Sequence, residues 1–330
     1  MLLYAGKASI SSFKYSLFID IVKKLKQWSQ SAGNTFILNS GTPETIRDNS
    51  ENIKNISIHV PTHLKPLNDE QFGHYLAGLI DGNGHFSSQQ QLVIVFNSPD
   101  VQLAYYIKEI IGFGRVKKVN NKNAYLYIIS NKDGIIKAIN LINGKLRTFN
   151  KFNQVINNIL AHSKYTSPPP QVLALACAAG GGEQDINFEM NKSNDFNNHW
   201  IAGFSDADAS FQIKIITRDN RPRPEIRLNF QIDQKSDLLL NIIKEYLGGN
   251  IAYRKSQDTY YYGSTNFGSA KRVIEYFDRY HLQSRKHISY LRWRKVYRLI
   301  QDKQHLTDKG LSKILIIKSL INRHEENTTT

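Results

Sequence analysis

The sequence predicts an α+β protein built from two copies of one αββαββα unit, related by a pseudo-twofold axis. Three observations predict it. The stretch Leu76-Ala77-Gly78-Leu79-Ile80-Asp81-Gly82-Asn83-Gly84 has a near copy, Ile201-Ala202-Gly203-Phe204-Ser205-Asp206-Ala207-Asp208-Ala209, standing 125 positions further on. Each copy runs from an apolar, helix-like segment through polar residues into a strand-like one. Each is then followed by a similar order of elements. Small residues four apart, Gly78 and Gly82 in one copy and Gly203 and Ala207 in the other, make a flat stripe on a helix, so the two helices can pack backbone to backbone. Their last polar residues, Asn83 and Asp208, then meet at the axis.

Residues 1–66 match nothing in the repeat. Residues 13–28 can form an amphipathic helix with Lys23, Lys24 and Lys26 on its wet face. This segment reads as a leader, either a transit peptide or sequence translated from upstream of the core. Residues 29–66, rich in Ser, Asn and Thr, read as poorly ordered. The first repeat spans 67–164. Asn68 or Asp69 caps a helix ending at Asn83. Residues 84–88 and 92–97 read as strands, 101–111 as a helix stopped by Gly112, and 115–119 with 124–130 as a hairpin through Asn120-Asn121-Lys122-Asn123. Helices over 134–141 and 151–162 follow. Residues 165–195, with Pro168-Pro169-Pro170 and Gly180-Gly181-Gly182, read as a linker. The second repeat, 196–330, repeats the order: a motif helix from Asn197 or Asn198, strands 210–217 and 225–233, a helix to Gly248, a hairpin over 251–265, and helices over 269–280 and 286–302. A last helix, capped by Thr307, runs to residue 323. Ile107-Lys108-Glu109 and Ile243-Lys244-Glu245 each precede a glycine turn, and Tyr125 and Tyr127 answer Tyr260 and Tyr262.

Composition narrows the function. The 330 residues carry 43 Lys and Arg against 28 acids, a net charge of +15, which points to a polyanionic partner. No apolar run is long enough for a membrane span. A single cysteine, Cys177, excludes an internal disulfide and a cysteine zinc cluster. His59 and His63 flank Pro61 and read as loop residues. Abundant Asn, Ile, Lys and Tyr suggest AT-rich coding DNA, hence an organelle genome and a mitochondrial location.

The paired motifs resemble those of the LAGLIDADG homing endonucleases, in the form that carries both motifs on one chain. The resemblance spans residues 67–323. It implies a monomer whose two halves form a saddle-shaped antiparallel sheet surface for double-stranded DNA. It also implies phosphodiester hydrolysis with Mg²⁺, for which Mn²⁺ can substitute. In that family the acid at the eighth motif position holds the metals. Here that position is Asp208 in the second motif but the amide Asn83 in the first. The sixth-position acids, Asp81 and Asp206, are implied to support the helix interface with Gly78, Gly82, Gly203 and Ala207. Gln234, with Asp100 as counterpart, is implied near metals and waters. Lys286 or Arg285 is implied near the scissile phosphate, with Lys151 a loose equivalent.

The strand over 225–233 alternates, with Ile226, Leu228, Phe230 and Ile232 on one face and Arg227, Asn229, Gln231 and Asp233 on the other. Arg and Lys suit guanine edges and Asn and Gln suit adenine edges. The expected DNA-contacting set is therefore Gln212, Lys214, Arg227, Asn229 and Gln231, the basic turn residues Arg218, Arg221 and Arg223, and Arg254. In the first repeat it is Arg115 and Lys117, with Gln89, Gln91, Asn97 and Lys122 nearby. The unequal first turns suit an asymmetric target. An alternative function, raised by Asn83, is an RNA-binding maturase that assists its host intron with cleavage weakened or lost.

Overall fold

The computed structural model describes residues 55–165, 187–219 and 222–329. The expected helix over 13–28, most of the expected linker, and Arg221 lie outside them. The first half comprises α1 (Asp69–Asn83), β1 (Gly84–Ser87), β2 (Gln91–Asn97), α2 (Val101–Ile111), β3 (Arg115–Lys118), β4 (Ala124–Ile129), α3 (Lys132–Ile142) and α4 (Phe149–Val155), which continues into a π turn at Ile156–Leu160. The second half comprises α5 (Trp200–Asp208), β5 (Ala209–Ile216), β6 (Glu225–Gln234), α6 (Leu238–Leu247), β7 (Asn250–Arg254), β8 (Thr259–Gly263), α7 (Phe267–Arg279), α8 (Lys286–Gln301) and α9 (Asp308–Thr329). Each half forms one antiparallel four-stranded sheet, ordered β1-β2-β4-β3 and β5-β6-β8-β7.

Local chemistry sets the element ends. The Asn68 side chain accepts from the Gln71 N–H at 2.9 Å and starts α1. Thr307 Oγ1 accepts from the Gly310 N–H at 3.0 Å and starts α9. Helices α2 and α6 stop alike. Gly112 and Gly248 take φ of 78° and 71°, and each N–H bonds back to the carbonyl of a lysine, Lys108 or Lys244, at 2.8 Å.

Register shows that the halves are true repeats. Gly84 pairs with Ile94 and Tyr127 with Ile94 and Val116; in the second half Ala209 pairs with Ile232 and Tyr262 with Ile232 and Ile251. The inner faces carry Phe86, Leu92, Ile94, Phe96 and Tyr127 in one half and Phe211, Leu228, Phe230, Ile232 and Tyr262 in the other, all buried beneath the helices. Phe211 also packs against Phe277, Tyr290 and Trp293 with ring centroids 5.6–5.7 Å apart.

Residues 55–66, read from sequence as the end of a poorly ordered leader, are fastened to the second half without forming a helix or strand. Ile56 is buried, and its N–H donates to the Gln301 side chain at 2.9 Å. The buried Arg294, held by Asp278 at 2.8 Å, donates to the His59 carbonyl. His63 Nε2 donates to the Leu282 carbonyl at 2.8 Å. Backbone-directed bonds of this kind need no hydrophobic period, so no sequence pattern marked them.

Candidate nucleic-acid interface and catalytic centre

The small-residue stripes of α1 and α5 meet face to face. A Cβ built at Gly78 would fall on the Trp200 carbonyl oxygen and 2.8 Å from the Phe204 nitrogen. One built at Gly203 would fall on the Tyr75 carbonyl oxygen and 2.9 Å from the Leu79 nitrogen. Tyr75 and Trp200, and Leu79 and Phe204, are equivalent positions of the two motifs. The contact is thus reciprocal, as a pseudo-twofold axis between the helices requires. Nearer the helix ends, a Cβ on Gly82 would collide with that of Ala207.

The sixth-position acids fix what surrounds the axis. Asp81 accepts from the Arg147 and Thr148 backbone N–H groups at 2.8 and 3.2 Å, from the Thr148 hydroxyl, and from Trp200 Nε1 at 3.0 Å. Asp206 accepts from the Gln283 and Ser284 N–H groups at 2.7 and 3.3 Å, from the Ser284 hydroxyl, and from the Tyr75 hydroxyl at 2.6 Å. Each acid therefore latches the loop before α4 or α8 and receives an aromatic donor from the other motif helix. Burial pushes the Asp81 carboxyl up to about 6 in spite of its donors, and raises Asp206 in the same direction. Sequence reasoning missed Tyr75 and Trp200, although each stands immediately before its motif and bears a donor.

The eighth positions lie at the helix ends. A Cβ on Gly82 would stand 3.4 Å from Asp208 Cγ, so the carboxyl rests against the residue preceding Asn83. Gln234 Nε2 donates to Asp208 Oδ2 at 2.8 Å. Lys286 Nζ donates to the carbonyls of Ser205 and Ala207 at 3.0 and 2.9 Å, capping the end of α5. Burial raises the Asp208 carboxyl; the Gln234 bond and the charges of Lys286 and Lys151 oppose that rise. Lys151 is pushed down by burial while Asp81 and Asp208 pull it up. The two lysines therefore flank one carboxylate, and the two helices direct the negative ends of their dipoles to the same place. Asp100 is not the counterpart of Gln234. Its Oδ1 accepts from the Arg285 N–H at 2.8 Å. Since Ile94 corresponds to Ile232, the position matching Gln234 is Phe96, which is buried. The first half thus departs from the second twice, at Asn83 and at Phe96.

The outer faces of the sheets differ. In the second, Asn229 and Gln231 are only 3% and 8% exposed, not open to solvent as alternation suggested. Asn229 donates to Gln212 and Gln231 at 3.2 Å, Gln231 donates to Asp233 at 2.9 Å, and Gln212 donates to Ser210 at 3.0 Å. These amides bond along and across the sheet through their N–H groups, while Asn229 Oδ1 is buried without a hydrogen-bond partner. Glu225 pairs with Arg227 and, at 3.2 Å, with Arg218. Arg223 meets Asp308 at 3.4 Å, and Arg254 meets Asp233 at 3.5 Å and lies over the Tyr261 ring. Lys214 is exposed beside Arg227. In the first half Arg115 and Lys117 are exposed on the edge strand, beside an outer face whose middle is apolar.

Two αββαββα units joined through a small-residue helix pair, with both motif ends at one polar centre, define the duplicated, two-motif class of this architecture. The chain belongs to the LAGLIDADG endonuclease family, whose sequence model matches residues 76–159 and 201–297. It is 58% identical to an uncharacterised cox1 intron-2 protein of Schizosaccharomyces pombe, over 95% of this chain and 94% of that one. It is 26% identical to the probable intron-encoded endonuclease 4 of Neurospora crassa over 97% of this chain, which spans about half (53%) of that longer protein. It is also 27% identical to the intron-encoded RNA maturase bI4 of Saccharomyces cerevisiae, over 59% of this chain and 27% of that one. Among solved structures, I-SmaMI bound to uncleaved DNA with calcium ions aligns with a TM-score of 0.56 and 23% identity, over 76% of this chain and 98% of that one. That likeness shows the fold.

Proposed function

We propose that this chain is an intron-encoded, site-specific DNA endonuclease, acting as a mitochondrial monomer on a long asymmetric duplex. Supporting this reading above all is the junction of α1 and α5, which sets Asp208 against Gly82, beside Asn83, between Lys151 and Lys286. Among the described residues no group of three His, Cys, Asp or Glu is placed to hold a metal. The oxygen donors present, one carboxylate with an adjacent amide and two helix C-termini, still suit Mg²⁺, which binds through one or two carboxylates plus phosphate and keeps several waters. Asp208 and Asn83 would hold it, and Mn²⁺ would substitute. Bound there, a divalent ion supplies an activated water and offsets the charge that develops on the phosphate.

The chain's own groups do the rest. Gln234 orients the Asp208 carboxylate. Lys286 keeps the end of α5 in place and brings positive charge beside the phosphate, with Lys151 doing so from the first half. Exposed Arg115, Lys117 and Lys214 bind the duplex backbone. Asn229 and Gln231, bonded within the sheet, present a fixed amide pattern rather than freely searching side chains.

With Asn83 and Phe96 in the first half, the centre carries one acid where the duplication provides for two. The expected activity is nicking, or slow linearisation, of a supercoiled plasmid bearing the intronless host-gene junction. Asn83→Asp restores the second carboxylate; several kcal/mol of charge stabilisation correspond to on the order of a hundredfold faster double-strand cleavage. If the present sequence linearises the plasmid as fast as the Asn83→Asp variant, the metal-ligand assignment is wrong. Asn83 also favours the second reading, an RNA maturase. Tight binding of the host intron RNA, with no cutting by either protein, selects that reading instead.

A further inference from the structure

The outer face of the first sheet is apolar where that of the second is polar. Val93 pairs with Ile128 and Val95 with Leu126 across β2 and β4. Arg115 and Lys117 continue those same two rows onto the edge strand β3. The packed cluster beneath the helices takes the alternate residues Leu92, Ile94, Phe96, Tyr127 and Ile129; of the four outward residues Val93 is itself buried at 8%, and Leu126 and Ile128 are half-buried. Val95 is 37% exposed. The register matches place Gln231 and Asp233 where the first half has Val93 and Val95, and Tyr261 and Gly263 where it has Leu126 and Ile128. A sheet face that carries only solvated residues has no physical need of four branched aliphatic side chains in a block.

We infer that this block reads thymine. Resting on the endonuclease reading above, the inference names the base content of one half-site: Val95, Leu126 and Ile128, backed by the buried Val93, pack on thymine C5-methyl groups in the major groove, while Arg115 and Lys117 hold the adjacent phosphates. Apolar side chains are the complement of that methyl group, the one apolar feature a base pair shows in the major groove. Outward residues of a strand recur about every 6.8 Å, close to two base steps of about 3.4 Å, so Leu126 and Ile128 meet bases two steps apart. The basic rim fits a polyanion and not a neutral apolar partner. RNA fits badly, because uracil lacks the methyl and the major groove of an RNA helix is too narrow for side chains. The second half, with Gln212, Lys214, Arg227 and Tyr261 on its outer face, has no such block. Its half-site is read through polar groups.

The test uses the full chain. Duplexes bound from a randomised pool are sequenced, and one selected duplex is remade with deoxyuridine for thymine in either half-site alone. The expected result is a thymine-rich half-site on one side, and a loss of about fourfold in affinity for each contacted methyl removed there. Deoxyuridine in the other half-site changes affinity little. Val95→Gln, at a position outside the core, removes the deoxyuridine penalty near Val95 without lowering the melting temperature. Specific binding that is equally indifferent, or equally sensitive, to deoxyuridine in both half-sites overturns the inference and leaves the endonuclease reading standing. Recovery of no specific duplex overturns both.

Discussion

The closest approach of the two motif helices can be probed by exchanging the residues that make it. Gly82 and Ala207 are equivalent positions and face each other, and a Cβ on Gly82 would collide with that of Ala207. Gly82→Ala adds a methyl where none fits, which costs about 1–3 kcal/mol. Against this, alanine favours a helix interior over glycine by about 1 kcal/mol, and by less near a helix end. The single variant should therefore lose about 0.5–2.5 kcal/mol. Ala207→Gly alone relieves nothing, because the wild type has no clash there, and loses about 1 kcal/mol of helix preference. In the exchanged pair the helix terms cancel and the methyl simply changes sides. Its stability should return to within about 0.5 kcal/mol of wild type, with a coupling of about 1–3 kcal/mol between the sites. Urea unfolding of all four proteins measures this, provided their slopes agree. At this chain length each kcal/mol moves the melting temperature by roughly 2–4 °C. Additive single effects, with the exchanged pair as poor as their sum, would refute the reciprocal contact. Gly78→Ala offers a contrast: its Cβ meets the Trp200 backbone, which cannot be trimmed, so no exchange at a side chain rescues it.

Two further outcomes follow from the polar groups. The folded pKa of Asp81 is raised from 3.8 to about 6, so the native state binds the proton more tightly than the unfolded chain. The associated stability is full below the unfolded pKa and is lost as pH rises through about 6; it amounts to about 3 kcal/mol overall. Asp81→Asn cannot show this gain and turns amide hydrogens toward existing donors, so its deficit in thermal unfolding should grow by about 2 kcal/mol on going from neutral pH to about pH 4.5. A deficit independent of pH would mean that Asp81 stays ionised throughout. At the sheet, Glu225→Gln frees Arg218 and Arg227 from their shared carboxylate. Affinity for random duplex should rise, and the slope of log affinity against log salt should steepen by about one. An unchanged slope would place both guanidiniums away from the DNA.

What the sequence made legible was periodic. Duplicated motifs, small residues four apart, and strands of alternating polarity fixed the element order, the helix pair and the inward faces. Alternation says which face a residue takes, and nothing about what its neighbours do there. Hence Asn229 and Gln231 were assigned the correct face but not their burial, which arises from side chains bonding along and across β5 and β6. The resemblance implied Asp100 as the counterpart of Gln234, whereas strand register matches Gln234 to Phe96. Residues 55–66 gave no period at all, since their fastening to Gln301, Arg294 and Leu282 runs through backbone groups.

These particulars separate what holds the fold from what would cut. Asp81 and Asp206 each accept four hydrogen bonds, and each ties a loop and the opposite motif helix to its own. The duplication is intact there because the architecture needs both. The eighth positions carry no such duty. Asp208 receives Gln234, while Asn83 stands in a half where the corresponding amide is Phe96. Replacing an acid by an amide at a helix end leaves no latch unmade, so the scaffold can keep its shape with one reactive side altered. Substitution at residue 83 should therefore move cutting without moving unfolding, and substitution at residue 81 or 206 should move both. The two measurements together distinguish a weakened enzyme from a weakened fold.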